Sequence, residues 1–560
     1  MLASSNHSSS LKSYSSLSVA QLESAEVPAA SLDNPCEESP LCGNRETNSE
    51  SSSISDSESN HGHDSHTEYD SHSDSSPTVI DHGVDHTVID LETQYEHSRE
   101  SPHENKKVDK HASSTPWKHE FEDSHPYIAP TINRWTMLIT WFTPYRQLFV
   151  LTFTVNLIGA ILELSGHWAW SKDHVTPLVV GNVLIAIAIR SEWVLRFLYW
   201  VTVKTFRPNV FPLWLRVKVV GILYHIGGVH SGCGLSALLW LVVAASAEFQ
   251  QAHLHHVTSL VALGICLACV SLTCLSAFPF IRGRFHNVFE MIHRFVGWIG
   301  IVFTVLYVIL ESLWDVGEQH WDPRASRLIT KPELWFLVTI FIIIVFSWIT
   351  IAKVPVTVYT SSEKASVIRV PGGLTSGLHT RISVGGLREW HIFGSISEGK
   401  NAEYHYIVAA VQGEFTKMLN VDKPVTLYTK RWKPCGLPYF SRLFKRGLAM
   451  CTGSGIGAVA STCIQHDNWF LIWIGPNLEK TYGKEIMQLI CDRIPESRRL
   501  IWDTRGPLGR PDVVRLLQNT YLYWEAEVTL FVGSPEMNSN VLQSCRALKT
   551  PVFVSSNLVF

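Results

Sequence analysis

The sequence predicts a four-part chain: a disordered tail, an α-helical bundle of about six membrane-length helices, a small antiparallel β-barrel, and a closing α/β domain on a parallel sheet. Three observations predict it. Polarity shifts sharply along the chain, so a mean hydropathy of +0.09 hides a polar front, an apolar middle and a mixed end. About six apolar runs in the middle reach the roughly 20 residues that a bilayer-spanning helix needs. About 100 residues past the last of them, Ala449-Met-Cys-Thr-Gly453-Ser454-Gly455-Ile-Gly457-Ala458 places a glycine turn directly behind an apolar strand.

Residues 1–130 form the tail. They are rich in Ser, Asp, Glu and His and poor in large apolar side chains, and so bury too little surface to offset chain entropy. No basic start precedes an apolar core, so we read no signal peptide here and take the first membrane helix as its own targeting signal. The cluster His61-Gly62-His63-Asp64-Ser65-His66 offers donors for weak Zn²⁺ or Cu²⁺ binding, and Thr78-Val79-Ile80-Asp81 recurs as Thr87-Val88-Ile89-Asp90. A solvated, phosphorylatable tail accounts for both more simply. The 11 cysteines have no regular spacing and read as reduced and structural, Cys266 and Cys269 among them inside an apolar run. A net charge of -4 with no basic block gives no reason to expect nucleic acid as a partner.

The bundle, 135–353, holds spans near 147–168, 177–203, 217–246, 255–280, 287–312 and 333–353. Six spans bring both ends to one side. Lys and Arg concentrate in the connections 190–218 (Arg190, Arg196, Lys204, Arg207, Arg216, Lys218) and 282–294 (Arg282, Arg284, Arg294), whereas 247–256 has none. The positive-inside rule therefore sets both termini in the cytosol. Histidines within such helices are costly. His225 and His293 fall at similar depth in the cytosolic half of the third and fifth spans, facing each other, and two readings of them stand. They are the axial ligands of one haem b, or they hydrogen-bond between helices in a seam containing Gly227, Gly228, Gly232 and Gly234. His230, about 140° round the helix from His225, points elsewhere. An outer haem would need histidines about 13 or 14 residues further along each helix, where Leu238, Leu239, Leu306 and Tyr307 stand. No outer haem is expected.

Residues 354–446 break into short β-branched runs, at 354–359, 366–370, 380–384, 406–411 and 425–428, punctuated by Gly, Pro and Asn, which predicts the barrel. From 447 to 560, apolar strands alternate with helical stretches, which predicts a parallel sheet with strands at 447–451, 469–474, 499–502, 528–532 and 552–554. Glycines at the 453–457 turn let the backbone approach a pyrophosphate, whose charge the amides of the following helix favour. The stretch Glu389-Trp390-His391-Ile392-Phe393-Gly394-Ser395-Ile396 sits where the barrel should meet a flavin. An aromatic from it can stack on the ring, and a hydroxyl and an imidazole can bond the polar edge or a phosphate; a buried strand with one satisfied histidine is the plainer alternative.

These residues resemble a family. Six membrane helices, a barrel with Glu389-Trp390-His391-Ile392-Phe393, the Gly453 to Gly457 turn, Gly533-Ser534-Pro535-Glu536-Met537, Cys545 and a terminal Phe560 resemble the ferric reductase and NADPH oxidase superfamily over about residues 135–560. Within it the chain is most similar to the fungal integral-membrane flavoproteins of the TmpA class, whose Tyr-His-x-Gly-Gly-x-His-Ser-Gly pattern matches Tyr224 to Gly232. The resemblance implies a ferredoxin-reductase-like module, with FAD on the barrel and NADPH or NADH on the α/β domain. It implies that His391 and Ser395 take positions of the His-Pro-Phe-Thr flavin motif, with Phe393 as its aromatic and Trp390 beside them. By the same resemblance Gly453, Ser454, Gly455 and Gly457 hold the nicotinamide cofactor's phosphates, and Gly533 and Pro535 border the hydride-transfer site. Phe560 covers the flavin until nicotinamide displaces it. Arg510, in Gly509-Arg510-Pro511-Asp512, is the expected reader of a 2′-phosphate, against a solvated loop arginine. Three departures stand out: Ile392 replaces the motif's proline, Val532 and Ser534 replace the cysteine and first proline of Cys-Gly-Pro-Pro, and the haem ladder shrinks to one pair.

The combined expectation is an oxidoreductase at a lipid bilayer, first the plasma membrane and second an internal one, that passes electrons from a cytosolic nicotinamide through FAD, and at most one haem, to an unidentified acceptor. The resemblance associates it with fungal development and conidiation. Its rivals are a surface ferric reductase or superoxide-producing oxidase, and a regulatory redox-sensing membrane protein with little turnover.

Overall fold

The computed structural model describes residues 127–386 and 389–555. The tail motifs at 61–66, 78–81 and 87–90, and Phe560, lie outside the described residues.

The helices run α1 (Arg134–Trp141), α2 (Pro144–Leu164), α3 (Val175–Arg190), α4 (Glu192–Thr205), α5 (Leu213–Tyr224), α6 (Gly227–Gln250), α7 (Val257–Ser276), α8 (His286–Leu313) and α9 (Pro332–Ile349). Proline at the first position of α2 and α9 suits a helix start, where its missing N–H is not needed. By length and composition five of these, α2, α6, α7, α8 and α9, can cross a membrane, and α3 with α4 makes a sixth only as one span bent by 73°. Their outward faces are too apolar for water: on α2, Leu151 and Val155 are each 62% exposed while Ala160 is buried.

Two expected spans are not single helices. The 177–203 run breaks at Ser191, because the next residue, Glu192, is drawn out of line toward the barrel, 2.9 Å from Arg381 Nε and 3.7 Å from Lys430 Nζ. The 217–246 run splits between Tyr224 and Gly227, where two glycines weaken the helix and let α6 press onto α2.

After α9 come β1 (Ile351–Pro355), β2 (Thr357–Ser362), β3 (Ala365–Pro371), β4 (His379–Ser383), β5 (His391–Ile396), β6 (Tyr404–Ala410), α10 (Glu414–Asp422) and β7 (Thr426–Lys430). The strands pair antiparallel in the order β1-β7-β4-β5-β6-β3-β2. This sheet curls around Ile368, Ile382, Ile407 and Leu419, all fully buried.

The last unit has β8 (Gly447–Thr452), α11 (Ile456–Gln465), β9 (Trp469–Gly475), α12 (Lys484–Arg493), β10 (Arg499–Asp503), α13 (Val513–Tyr523), β11 (Val528–Val532), α14 (Pro535–Ala547) and β12 (Val552–Val554). Its five strands are parallel in the order β10-β9-β8-β11-β12. With helices on both faces, β9 is buried from end to end, which explains its unbroken apolar run.

Several basic residues of 190–218 hold the helices to this module. Arg216 of α5, 3% exposed, meets Glu527 through hydrogen bonds of 3.1 and 3.2 Å. Arg196 of α4 donates to Lys433 O at 3.3 Å and lies over Trp432. The Tyr199 ring packs 4.3 Å from Phe440.

Candidate functional site

The chain leaves β8 at Thr452 and turns tightly through Gly453, Ser454 and Gly455 into α11. Gly453 has φ +57, a conformation in which a side chain is strained, and its carbonyl accepts from Trp473 Nε1 at 2.9 Å. A Cβ on Gly455 would lie 2.8 Å from Val532 O, so the turn can rest on the end of β11 only without one. There Gly533 N donates to Asn538 Oδ1 at 3.0 Å, and Ser534 caps α14 just before Pro535, accepting from Met537 N at 3.3 Å. The strand order reverses between β8 and β11, so Gly453, Ser454, Gly455, Gly533 and Pro535 meet at the topological switch point. No side chain caps α11, which leaves its first-turn amides to an anion.

The barrel reaches this turn through β5. A Cβ on Gly394 would lie 2.5 Å from Ala458 Cα and from Gly457 O, so β5 and α11 pack backbone on backbone. Gly457 also faces β6, where a Cβ would sit 3.5 Å from Val408. Ser461 Oγ donates to Ser395 O at 2.7 Å and accepts from Ser397 N at 2.8 Å, stitching the same seam.

The other expected flavin residues occupy mixed positions. His391 stacks on Phe415 of α10 with ring centroids 4.0 Å apart, and its Nε2 sits 3.4 Å from the Glu389 carboxylate without hydrogen-bond geometry. Phe393 packs against the barrel core. The Trp390 indole donates to Gly386 O at 3.3 Å and faces the Lys430 ammonium. Ser395 is enclosed: its hydroxyl bonds Thr380 Oγ1 at 2.9 Å, which meets His405 Nε2 at 2.9 Å. Ser395 is 3% exposed, and its hydroxyl is engaged by these interior partners.

Sequence reasoning passed over α10. Its N-terminal Gly413 has no side-chain cap, Thr416 Oγ1 accepts from the amides of Gln412 and Gly413 at 3.0 and 3.1 Å, and Phe415 in its first turn stacks on the His391 ring. The visible signal was a glycine three residues before a threonine, after a β-strand. Asn538 was also missed; its amide donates to Ser555 O at 2.5 Å while its oxygen holds the Gly533 turn. Arg510 is exposed on the loop after β10, two strands from the turn, where the Trp502 indole donates to Gly509 O at 2.9 Å. Two open cavities lie elsewhere, one lined by Trp200, Lys204, Arg207, Tyr439 and Arg442, the other by Val261, Phe303, Leu306 and Trp321.

The histidine pairing needs correction. His225 ends α5 and donates from Nδ1 to Gly221 O at 2.8 Å. It does not face His293. His230 does, with ring centroids 6.2 Å apart, Nδ1 of His230 2.9 Å from Ala186 O and Nδ1 of His293 3.4 Å from Thr273 O. The angular reasoning presumed one continuous helix, and the break at Ile226 resets the phase. The glycine seam is filled by protein: a Cβ on Gly228 would lie 2.1 Å from Tyr145 O and one on Gly232 2.8 Å from Thr152 Cβ. These residues do not fit a haem held by His225 and His293.

Residues 437–556 match the family description "Adenylate-forming reductase 03009, C-terminal domain". Adenylate-forming reductase 06235 of Coprinopsis cinerea is 28% identical over 418 residues, covering 74% of this chain and 40% of that protein. Adenylate-forming reductase 03009 of the same fungus is 26% identical over 465 residues, covering 80% of this chain and 44% of that one. The chain thus spans about two fifths of the length of the curated relatives it matches. Among solved structures, the ferredoxin reductase in carbazole 1,9a-dioxygenase is 15% identical with a TM-score of 0.30, over 37% of this chain and 69% of that one.

Proposed function

We propose that this chain is a membrane-bound NAD(P)H:FAD oxidoreductase of the ferric reductase and NADPH oxidase superfamily, closest to the TmpA class, with its bundle in a bilayer and its module in the cytosol. The observation that carries this is the β5–α11 seam, where a phosphate-binding glycine turn at a switch point is packed directly against a barrel strand bearing His391 and Phe393. A flavin and a nicotinamide held by those two elements are neighbours.

FAD fits the barrel side: the uncapped start of α10 and His391 Nε2, which lacks a hydrogen-bond partner, would hold its pyrophosphate. The nicotinamide cofactor fits the turn at Gly453 to Gly455, where α11 begins without a side-chain cap and its first amides would hold the phosphates. Bound together, the two cofactors supply hydride transfer and the release of electrons one at a time. The chain's own part is to hold, orient and exclude water; hydride transfer asks no acid or base of it. Gly533 and Pro535 shape the rim of the crevice, and Asn538 keeps that rim in place. β4, the neighbour of β5, carries the Arg381 that pairs with Glu192 at the α3–α4 elbow, which sets the flavin site one strand from the helices.

The relatives' shared designation as reductases accords with this chemistry, and their adenylate-forming activity is not carried over. The test is an absorption spectrum of detergent-purified protein, oxidised and reduced, with an NADPH and NADH oxidation assay using an artificial acceptor. We expect a flavin spectrum, with at most one haem beside it, and turnover. Protein without flavin that oxidises neither nucleotide would overturn the proposal.

A further inference from the structure

We infer that Glu248, His255 and Glu311 bind one divalent transition-metal ion, best matched by Zn²⁺, at the end of the bundle away from the nucleotide module. Glu248 lies in the last turn of α6, Glu311 in the last turn of α8, and His255 on the link between α6 and α7. Their ligand atoms all lie within 4.8 Å of one another, and His255 Nδ1 is 3.1 Å from Glu311 Oε1. One imidazole and two carboxylates are a donor set that Zn²⁺ accepts, with a fourth place left for water.

The second observation is electrostatic. Glu248 Oε2 and Glu311 Oε2 are both buried without a hydrogen-bond partner, and among the described residues His255 is the basic side chain within ion-pairing distance of either carboxylate. Two carboxylates facing each other at the edge of an apolar bundle are costly unless a cation joins them, and a doubly charged ion matches their charge.

The surroundings hold the donors in place as ligands usually require. Tyr307 OH donates to Glu248 Oε1. The His255 link is tied to the hairpin of Trp314–Asp315 and His320–Trp321: the Trp314 indole donates to Leu254 O at 2.8 Å, and the His256 ring packs 5.0 Å from Trp314 and 4.8 Å from Trp321. None of these residues belongs to the flavin–nicotinamide crevice, so this site does not depend on the redox proposal.

The experiment uses the full chain in detergent with His61, His63 and His66 changed to Asn, which removes the tail's densest histidine cluster, and each variant is compared with this parent so that the tail's remaining donors are common to both. The protein is stripped with a chelator, dialysed against Zn²⁺ or, separately, Mn²⁺, and its metal content measured; circular dichroism and gel-filtration retention check the fold. One equivalent of Zn²⁺ per chain is expected, with Mn²⁺ held more weakly. Glu311→Gln and His255→Asn should each lower Zn²⁺ affinity at least about tenfold while both fold checks match the parent. No uptake of either ion by the parent would overturn the inference, leaving a proton shared between the carboxyls. Unchanged uptake by both variants would overturn it too.

Discussion

The α/β sheet and the helical bundle keep their apolar residues away from water in opposite ways. In β8 and β9 the residues Leu448, Ala449, Met450, Cys451, Leu471, Ile472 and Trp473 are wholly buried against the module's own helices. In the bundle, Leu151, Val155, Val302 and Phe341 point outward, more than half exposed, and under the function proposed above a bilayer is what would cover them. A segment that packs on its own protein has its position specified residue by residue. A segment that packs on lipid is specified by length and hydropathy alone. Each prediction below tests one side of that contrast or the joint between the two.

The largest effect is expected at the joint. Arg216→Ala removes the guanidinium that pairs with Glu527 and leaves a partly buried carboxylate uncompensated, which should cost about 4 kcal/mol. Urea unfolding of the detergent-solubilised chain, followed by tryptophan fluorescence, should show the module's midpoint fall while far-UV circular dichroism of the bundle holds. A loss shared equally by both signals would mean the two regions unfold as one.

Next comes pH. His405 is 1% exposed, between the Thr380 hydroxyl and Gly372 O. Burial pushes its pKa down to about 4, with the nearby Lys433 charge in the same direction and the Gly372 bond opposing. Unfolded, the imidazole titrates near 6.5 and so binds more protons than the native state between those values. Its contribution is complete above about pH 6.5 and declines as pH falls toward 4, by up to about 3 kcal/mol. The module's urea midpoint should slope downward across that range, and His405→Asn should flatten the slope. An unchanged slope in the variant would assign the acid sensitivity elsewhere.

The same contrast explains what the sequence made legible. Strands at 447–451, 469–474, 499–502, 528–532 and 552–554 were placed to within a residue or so because each is an apolar run punctuated by polar turns. The glycine turn was legible because Gly453 and Gly455 answer local backbone and contact demands. In the bundle, hydropathy found the long helices yet missed the breaks at Ser191 and Ile226, since one or two residues of broken helix do not alter a 20-residue average. His225 was therefore paired with His293 in place of His230. The expected run 354–359 proved to be two strands, the first ending at Pro355, whose missing N–H breaks the ladder, and the second starting at Thr357. The surroundings of Ser395 were not legible because its partner Thr380 is 15 residues away in sequence, and only the barrel's pairing brings the two together.

Within the module, Gly455→Val tests whether the turn is a cofactor cradle or a packing detail. The added side chain meets the end of β11, its Cβ lying 2.8 Å from Val532 O, and forces the turn to shift. We expect NADPH-dependent reduction of an artificial acceptor to fall about 100-fold, equivalent to about 2.7 kcal/mol, with bound flavin retained and the urea midpoint lowered because the side chain meets the Val532 backbone. Loss of flavin in step with activity would show that the substitution separates the β5–α11 seam instead of blocking the nucleotide.

The smallest effect is expected at the surface, where neither burial nor lipid constrains the chain. Arg510 is exposed on the loop that follows β10, and a guanidinium there can reach a 2′-phosphate without disturbing any packing. Arg510→Ala should raise the KM for NADPH about tenfold, close to 1.4 kcal/mol, and leave the KM for NADH and the kcat with either nucleotide as they were. Arg505 stands on the same loop and is also exposed, so Arg505→Ala is the matched comparison. An NADPH effect from Arg505 alone moves the reading of the 2′-phosphate to the start of that loop, next to Asp503, whose carboxylate already holds the amides of Asn477 and Arg505 at 2.9 and 2.8 Å. Equal effects on NADPH and NADH from either variant would instead show that the loop positions the shared part of the two cofactors, and that this module does not distinguish them by charge.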